Sequence, residues 1–207
     1  MNDLLVVVPD KTWKAVIDEL LRRPEALSIR KINWTVAVHT GRDCGVRAKG
    51  PELAAGLSRL YSRAILLLDH EGCGDLRSPE KIEEDLRGKL RSHWADRADA
   101  IVISPELEIW LWRALSQMAR LLEVSAEKLR EKLSKLGYLK VQGKKPERPK
   151  EAFLALLKEE KKIPSAALYA EIARQASLRL EGCQSQSYPR FVTLLRSWFP
   201  SPSGKAS

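Results

Sequence analysis

The sequence predicts an α/β fold: a parallel β-sheet flanked by helices, with a C-terminal all-helical extension. Two observations carry this expectation. Short β-branched runs alternate four times with segments of helical spacing, the pattern of βαβ units whose strands pair in parallel. After residue 122 the strand-like runs stop and only amphipathic segments follow. The 207 residues suit one large domain or a domain with an appendage, and a hydrophobic content of 44% supplies a core.

The elements follow in order. "LLVVV" (4–8) is short, β-branched and closed by Pro9, and reads as a buried strand. "KTWKAVIDELLRR" (11–23) sets Trp13, Val16, Ile17, Leu20 and Leu21 on one helix face. "INWTVAV" (32–38) is a second strand. "PELAAGLSRLY" (51–61) opens with proline and an acid, as helices do. "AILLLD" (64–69) is a third strand, residues 79–92 form a helix behind Pro79, and "AIVIS" (100–104) is a fourth strand. "PELEIWLWRALSQMARLL" (105–122) is expected as one long helix with Leu107, Leu111, Leu115, Met118 and Leu122 inside. Helices are expected over 125–136, 149–160, 165–176 and 188–199, with a linker at 143–149. The division is an α/β domain at 1–124, a basic helical extension at 125–200 and a disordered tail at 201–207. Trp13, Trp34, Trp110 and Trp198 fall on inner faces or strands, where core packing is their expected role.

Charge and cysteine usage narrow the function. No apolar run is long enough to span a bilayer, and none has a signal-peptide layout, so a cytoplasmic protein with no membrane partner is expected. Cys44, Cys73 and Cys183 form no CxxC pair, and His39, His70 and His93 are scattered, so neither zinc nor a disulfide framework is expected. A Cys44–His39 nucleophile pair has no third group to orient it. The net charge of +9 is uneven, because residues 128–162 hold 12 basic against 5 acidic residues. The centre is "KVQGKKPERPK", with Lys140, Lys144, Lys145, Arg148 and Lys150. Such a stretch is either a face for nucleic-acid phosphates or a solvated surface that aids solubility.

Acids gather where an open parallel sheet binds ligands, beyond the carboxyl ends of its strands. Strand one runs into Asp10 and Lys11, strand two into Arg42 and Asp43, strand three into Asp69 and Glu71, strand four into Glu106 and Glu108. Clustered carboxylates suit Mg²⁺ or Mn²⁺. If the chain stays extended, Asp69 and Glu71 point the same way and grip one ion, while Gly72 and Gly74 turn the backbone. The strand is apolar until Asp69, which favours this over simple capping. Glu106 and Glu108 serve either a metal or the dipole of a helix capped by Ser104 with Pro105 at its first turn. On a helix only one of the two should meet Asp69, unless the helix starts later. Asp10 is either an N-cap or a third corner of the acidic site, and Lys11 is a candidate phosphate contact. Arg42 and Asp43 read mainly as a loop ion pair.

The pattern resembles the Toprim fold of topoisomerases, bacterial primases and OLD-type nucleases. "VVVPDKT" stands where that family has a strand ending in Glu-Gly, and "LLLDHEG" stands where it has Asp-x-Asp, here as Asp-x-Glu. "DHEGCG", "VISPELEIWLW", "RPKEAF" and "SWFP" are similar to a small Toprim-like family of prokaryotic genes in a methylation-associated phage-defence system. The resemblance implies an antiviral protein, a Mg²⁺- or Mn²⁺-dependent nuclease acting with other defence proteins. It implies Asp69, Glu71, Glu106 and Glu108 as metal ligands, Asp10 as acid/base beside Asp69 and Glu71, and Lys11 as a phosphate contact. Pro9 occupies the position of the family's glutamate, with Asp10 beside it. That departure keeps a second reading open: a catalytically degenerate accessory protein that binds nucleic acid or a partner.

Overall fold

The computed structural model describes residues 1–139, 146–178 and 185–202. Among these, β1 (Asn2–Val8), β2 (Trp34–Val38), β3 (Tyr61–Asp69) and β4 (Ala98–Ile103) form one sheet in the order β2-β1-β3-β4. Every neighbouring pair is parallel. β1 and β3 are central, and their near-continuous apolar runs reflect burial on both faces. Side chains alternate accordingly. Leu4, Val6, Val8, Ile65 and Leu67 enter one hydrophobic cluster, and Leu5, Val7, Leu66 and Leu68 enter another.

α1 (Lys11–Leu21) covers the first face with Trp13, Val16 and Ile17. α3 (Arg42–Gly56) and α4 (Pro79–Trp94) cover the second with Val46, Ala54, Ile82, Leu86 and Trp94. The chain thus leaves β1 over one face, returns from β2 over the other, and seats β3 on the far side of β1. The strand order reverses between β1 and β3, and a crevice opens outside their carboxyl ends. α2 (Pro24–Leu27) is a single turn before β2.

Beyond β4 lie α5 (Glu108–Leu111), a 3₁₀ turn at Trp112–Ala114, α6 (Leu115–Leu121), α7 (Ala126–Lys135), α8 (Pro149–Glu159), α9 (Ala166–Gln175) and α10 (Ser187–Trp198). Their apolar side chains join the cluster on the α1 face, where Phe153, Tyr169, Ile172, Phe191 and Phe199 are buried with Trp13 and Val8. Ring contacts knit the layers: Trp110 meets Trp13 at 6.2 Å and Tyr188 at 5.3 Å, and Phe153 meets Tyr169 edge-on at 5.1 Å. On the other face Arg190 of α10 pairs with Asp99 at 2.8 Å and with Glu83, whose carboxylate also accepts the Val102 N–H. Trp13 and Trp110 are core residues, while Trp34 and Trp198 are half-buried against it.

Three element boundaries depart from the sequence expectation. The helix expected over 51–61 begins instead at Arg42 and holds Pro51 in its interior, and β3 already starts at Tyr61. A proline followed by an acid is a local helix-start signal, and Gly45 and Gly50 mask the helical turns that precede it. The helix expected over 105–122 is broken into three pieces and begins at Glu108. Ser104 therefore does not cap it, the Ser104–Pro105 peptide is cis, and the Leu107 N–H is committed to Asp69. The expected linker at 143–149 and tail at 201–207 lie partly outside the described residues. Among the described residues, no helix is long and apolar enough to cross a membrane.

Because Phe153 packs in the same cluster as the sheet, Phe153→Ala should lower the stability of the whole chain by about 3–5 kcal/mol. Urea unfolding followed by tryptophan fluorescence and by far-UV circular dichroism should shift together. Two separated transitions would contradict a shared core.

Candidate metal centre

Asp69 closes β3 and points to the same face as Ile65 and Leu67. It is only 7% exposed. Its Oδ1 accepts the Leu107 N–H at 2.7 Å, and its Oδ2 lies 3.4 Å from the indole Nε1 of Trp13. Its own backbone N–H donates to Asp43 Oδ1 at 2.7 Å. Gly72 permits that approach, because a Cβ there would stand 2.7 Å from Asp43 Oδ2. Gly74 holds φ at +69°, a left-handed conformation suited to glycine, and completes the turn. Burial drives the Asp69 carboxyl well above the usual range, and the charges of Asp43, Glu108 and Glu106 push the same way, against the Leu107 hydrogen bond. Burial likewise raises Asp43, with Asp10 adding to the effect and the Asp69 N–H and Lys150 opposing it.

Glu106 and Glu108 are 7% and 5% exposed. Because the helix starts at Glu108, Glu106 sits ahead of it, and both carboxylates contribute to the field at Asp69. Glu108 Oε1 accepts the Tyr169 hydroxyl of α9 at 2.7 Å, and Glu106 Oε1 accepts the Lys150 ammonium of α8 at 3.0 Å. Burial raises the Glu108 carboxyl despite the tyrosine hydrogen bond, and burial with the neighbouring Glu108 charge raises the Tyr169 hydroxyl. Burial pulls the Lys150 ammonium down, but Glu106, Glu108 and Asp69 outweigh it, so it stays charged.

Asp10 takes the N-cap role that its position offered. Its Oδ1 caps α1 by accepting the N–H groups of Thr12 at 2.7 Å and Trp13 at 3.0 Å, and its charge is felt at Asp43 and Tyr169. Glu71 does not join Asp69. The chain leaves the extended conformation at His70, strand alternation ends there, and Glu71 is exposed in the turn with its N–H on Pro105 O at 3.3 Å. Asp43 turns its carboxylate onto the Asp69 backbone instead of serving mainly as a partner for Arg42. Lys11 is exposed at the start of α1, and the Arg148 guanidinium lies 5.3 Å from the Tyr138 ring. Lys140, Lys144 and Lys145 lie outside the described residues. The sequence reading missed the parts of Asp43, Tyr169 and the Trp13 indole. Asp43 had a signal, as an acid following a strand; Tyr169 had none, being an ordinary aromatic on an amphipathic helix.

The donor set is all hard oxygen and suits Mg²⁺ or Mn²⁺ in kind. The arrangement is another matter. Among the described residues no group of three or more His, Cys, Asp or Glu side chains is set to hold a metal ion. Asp69, Glu106, Glu108 and Asp43 each lean on a protein donor. Close carboxylates in a buried site repel, and either protons or a cation relieve them. No protein-family model, curated protein or solved structure matches the chain.

Glu108→Gln keeps an acceptor for Tyr169 and removes a charge. Burial holds the folded-state Glu108 carboxyl above its ordinary range, so its ionised form costs stability at any pH above that of a free glutamate. The variant should therefore gain roughly 0.5–2 kcal/mol at neutral pH. The advantage should vanish as the pH falls below about 4.5. Thermal melts across pH check this, and a loss of stability at pH 7 would contradict it.

Proposed function

We propose that the chain is a component of prokaryotic antiviral defence whose Toprim-like carboxylate cluster binds Mg²⁺ or Mn²⁺ and acts on nucleic-acid phosphodiesters. The observation that carries the metal part is Asp69, buried at the reversal of strand order with Asp43, Glu106 and Glu108 around it. A buried group of carboxylates at the ligand-binding edge of a parallel sheet is relieved by protons or by a cation, and this reading takes the cation. The defence part rests on the resemblance of "DHEGCG", "VISPELEIWLW", "RPKEAF" and "SWFP".

On this reading Asp69 holds the ion with Glu106, Glu108 and Asp43 as the remaining ligand candidates. A bound divalent ion polarises a phosphate and lowers the pKa of its water. The protein's own groups do the rest. Tyr169 holds Glu108 in one orientation, and the N-cap bonds of Asp10 fix its carboxylate at the sheet edge for acid/base work. Exposed Lys11, Glu71 and Arg148 stand toward solvent, where the two cations meet the nucleic-acid backbone. The basic stretch around Lys140, Lys144 and Lys145 extends that contact on charge alone.

A second reading has its own support: Pro9 in place of the family's glutamate, and Lys150 already seated on Glu106. It makes the chain an accessory protein that binds nucleic acid or a defence partner without cleaving. Melting curves separate the two. Mn²⁺ at 100 times its Kd should stabilise the wild type by about 2.7 kcal/mol, roughly 5–10 °C, and leave Asp69→Asn unmoved. Cleavage of DNA or RNA by the variant should fall by at least roughly 100-fold. No shift with Mn²⁺ or Mg²⁺ in either protein would discard the metal reading in favour of the accessory one.

A further inference from the structure

We propose that the outer edge of β2 is a docking site for an extended segment of another protein, one with an uncharged, β-branched centre and carboxylates at its ends. The edge is present whether or not the buried acids hold an ion. β2 pairs only with β1, with Leu4 opposite Trp34 and Val8 opposite Val38. The Leu4 N–H donates to Asn33 O at 3.1 Å, and the His39 N–H donates to Val8 O at 2.8 Å. Bonds to a parallel neighbour recur at every second residue, so Asn33, Thr35, Ala37 and His39 face β1. Trp34, Val36 and Val38 turn their N–H and C=O groups outward, and among the described residues nothing hydrogen-bonds to those groups.

The opposite edge of the sheet is protected. There Ala100 and Val102 face outward from β4, and side chains take up their backbone groups. The Ala100 N–H donates to Asp99 Oδ1 at 2.7 Å, the Ala100 carbonyl accepts Arg190 at 3.0 Å, and the Val102 N–H donates to Glu83 at 2.9 Å. Charges turned onto an edge in this way block further strand pairing. β2, with the sequence WTVAV, carries no charge and no proline. It is also held in place: Trp34 and Val36 pack with the α1-face cluster, and Thr35 Oγ1 accepts the Tyr61 hydroxyl at 2.8 Å. A rigid, uncharged, unpaired edge is what an extended peptide needs to add a strand.

Charge chooses the occupant. The acids near β2 are committed: Asp3 to Arg30 and the Asn33 N–H, Asp18 to Lys14 and the Trp34 indole, Asp43 to the Asp69 N–H. Lys31 before the strand and Arg42 after it are exposed, and among the described residues neither makes an ion pair. A second copy paired antiparallel about Val36 would set the Arg30–Lys31 end of one chain against the Gly41–Arg42 end of the other, cation against cation. Carboxylates at both ends of an incoming strand answer both cations.

Fluorescence anisotropy of the full chain with a labelled, end-blocked peptide, Asp-Glu-Thr-Val-Thr-Val-Thr-Glu-Asp, tests this. Wild type should bind the peptide, and salt should weaken the complex. The double variant Lys31→Glu, Arg42→Glu should bind about 10-fold less tightly, the size expected of two surface ion pairs. Val38→Pro removes one outward donor without touching the bonds to β1 and should cost at least about 5-fold. The same peptide N-methylated at alternate residues should not bind wild type, and this arm stands even where a variant fails to fold. No binding of the parent peptide, or equal binding of the methylated one, overturns strand addition at this edge. Equal binding of a peptide with lysines in place of its acids overturns the charge assignment. A dimer of wild type in sedimentation, dispersed by Val38→Pro, gives the edge to a second copy and overturns the proposed partner.

Discussion

Asp69 sets the course of three separate segments. Its backbone N–H fixes Asp43 and with it the start of α3, its Oδ1 fixes Leu107 ahead of α5, and its Oδ2 faces the Trp13 indole of α1. These groups come from both layers that cover the sheet. A carboxylate so buried is unfavourable as an ion, and the hydrogen bonds that hold it offset only part of that cost. The strain is not local to one loop. It is the electrostatic state of the whole carboxyl edge, since Asp43 and Glu108 are pushed in the same direction by the same cause.

The helices after β4 complete this edge rather than standing apart from it. α8 supplies Lys150 to Glu106 and α9 supplies Tyr169 to Glu108, while α10, away from this edge, ties Glu83 of α4 to Asp99 of β4 through Arg190. Their apolar faces share one cluster with β1, β3 and α1. Packing and charge balance therefore depend on each other: the core positions α8 and α9, and those helices bring the groups that answer the acids. Removing the C-terminal half would strip the first face of the sheet of every covering helix but α1 and α2 and leave the glutamates without these partners.

Much of this was legible in the sequence, for physical reasons. Parallel strands buried on both faces must be apolar throughout, so "LLVVV" and "AILLLD" declared themselves, and an acid ending such a run marked Asp69. Glu71 misled because alternation holds only while the chain is extended, and a turn begins one residue after Asp69. The break before Glu108 was hidden because a tertiary hydrogen bond to Asp69 makes it, not a local breaker. Asp43 and Tyr169 reach the site through strand order and helix packing, over 26 and 61 residues from their partners, and no local pattern encodes that.

The most direct measurement is the anomalous difference map of crystals grown with Mn²⁺. The account predicts one peak beside Asp69, about 2.0–2.2 Å from its carboxylate and from at least one of Asp43, Glu106 and Glu108. A map with no peak at this edge under saturating Mn²⁺ would contradict it.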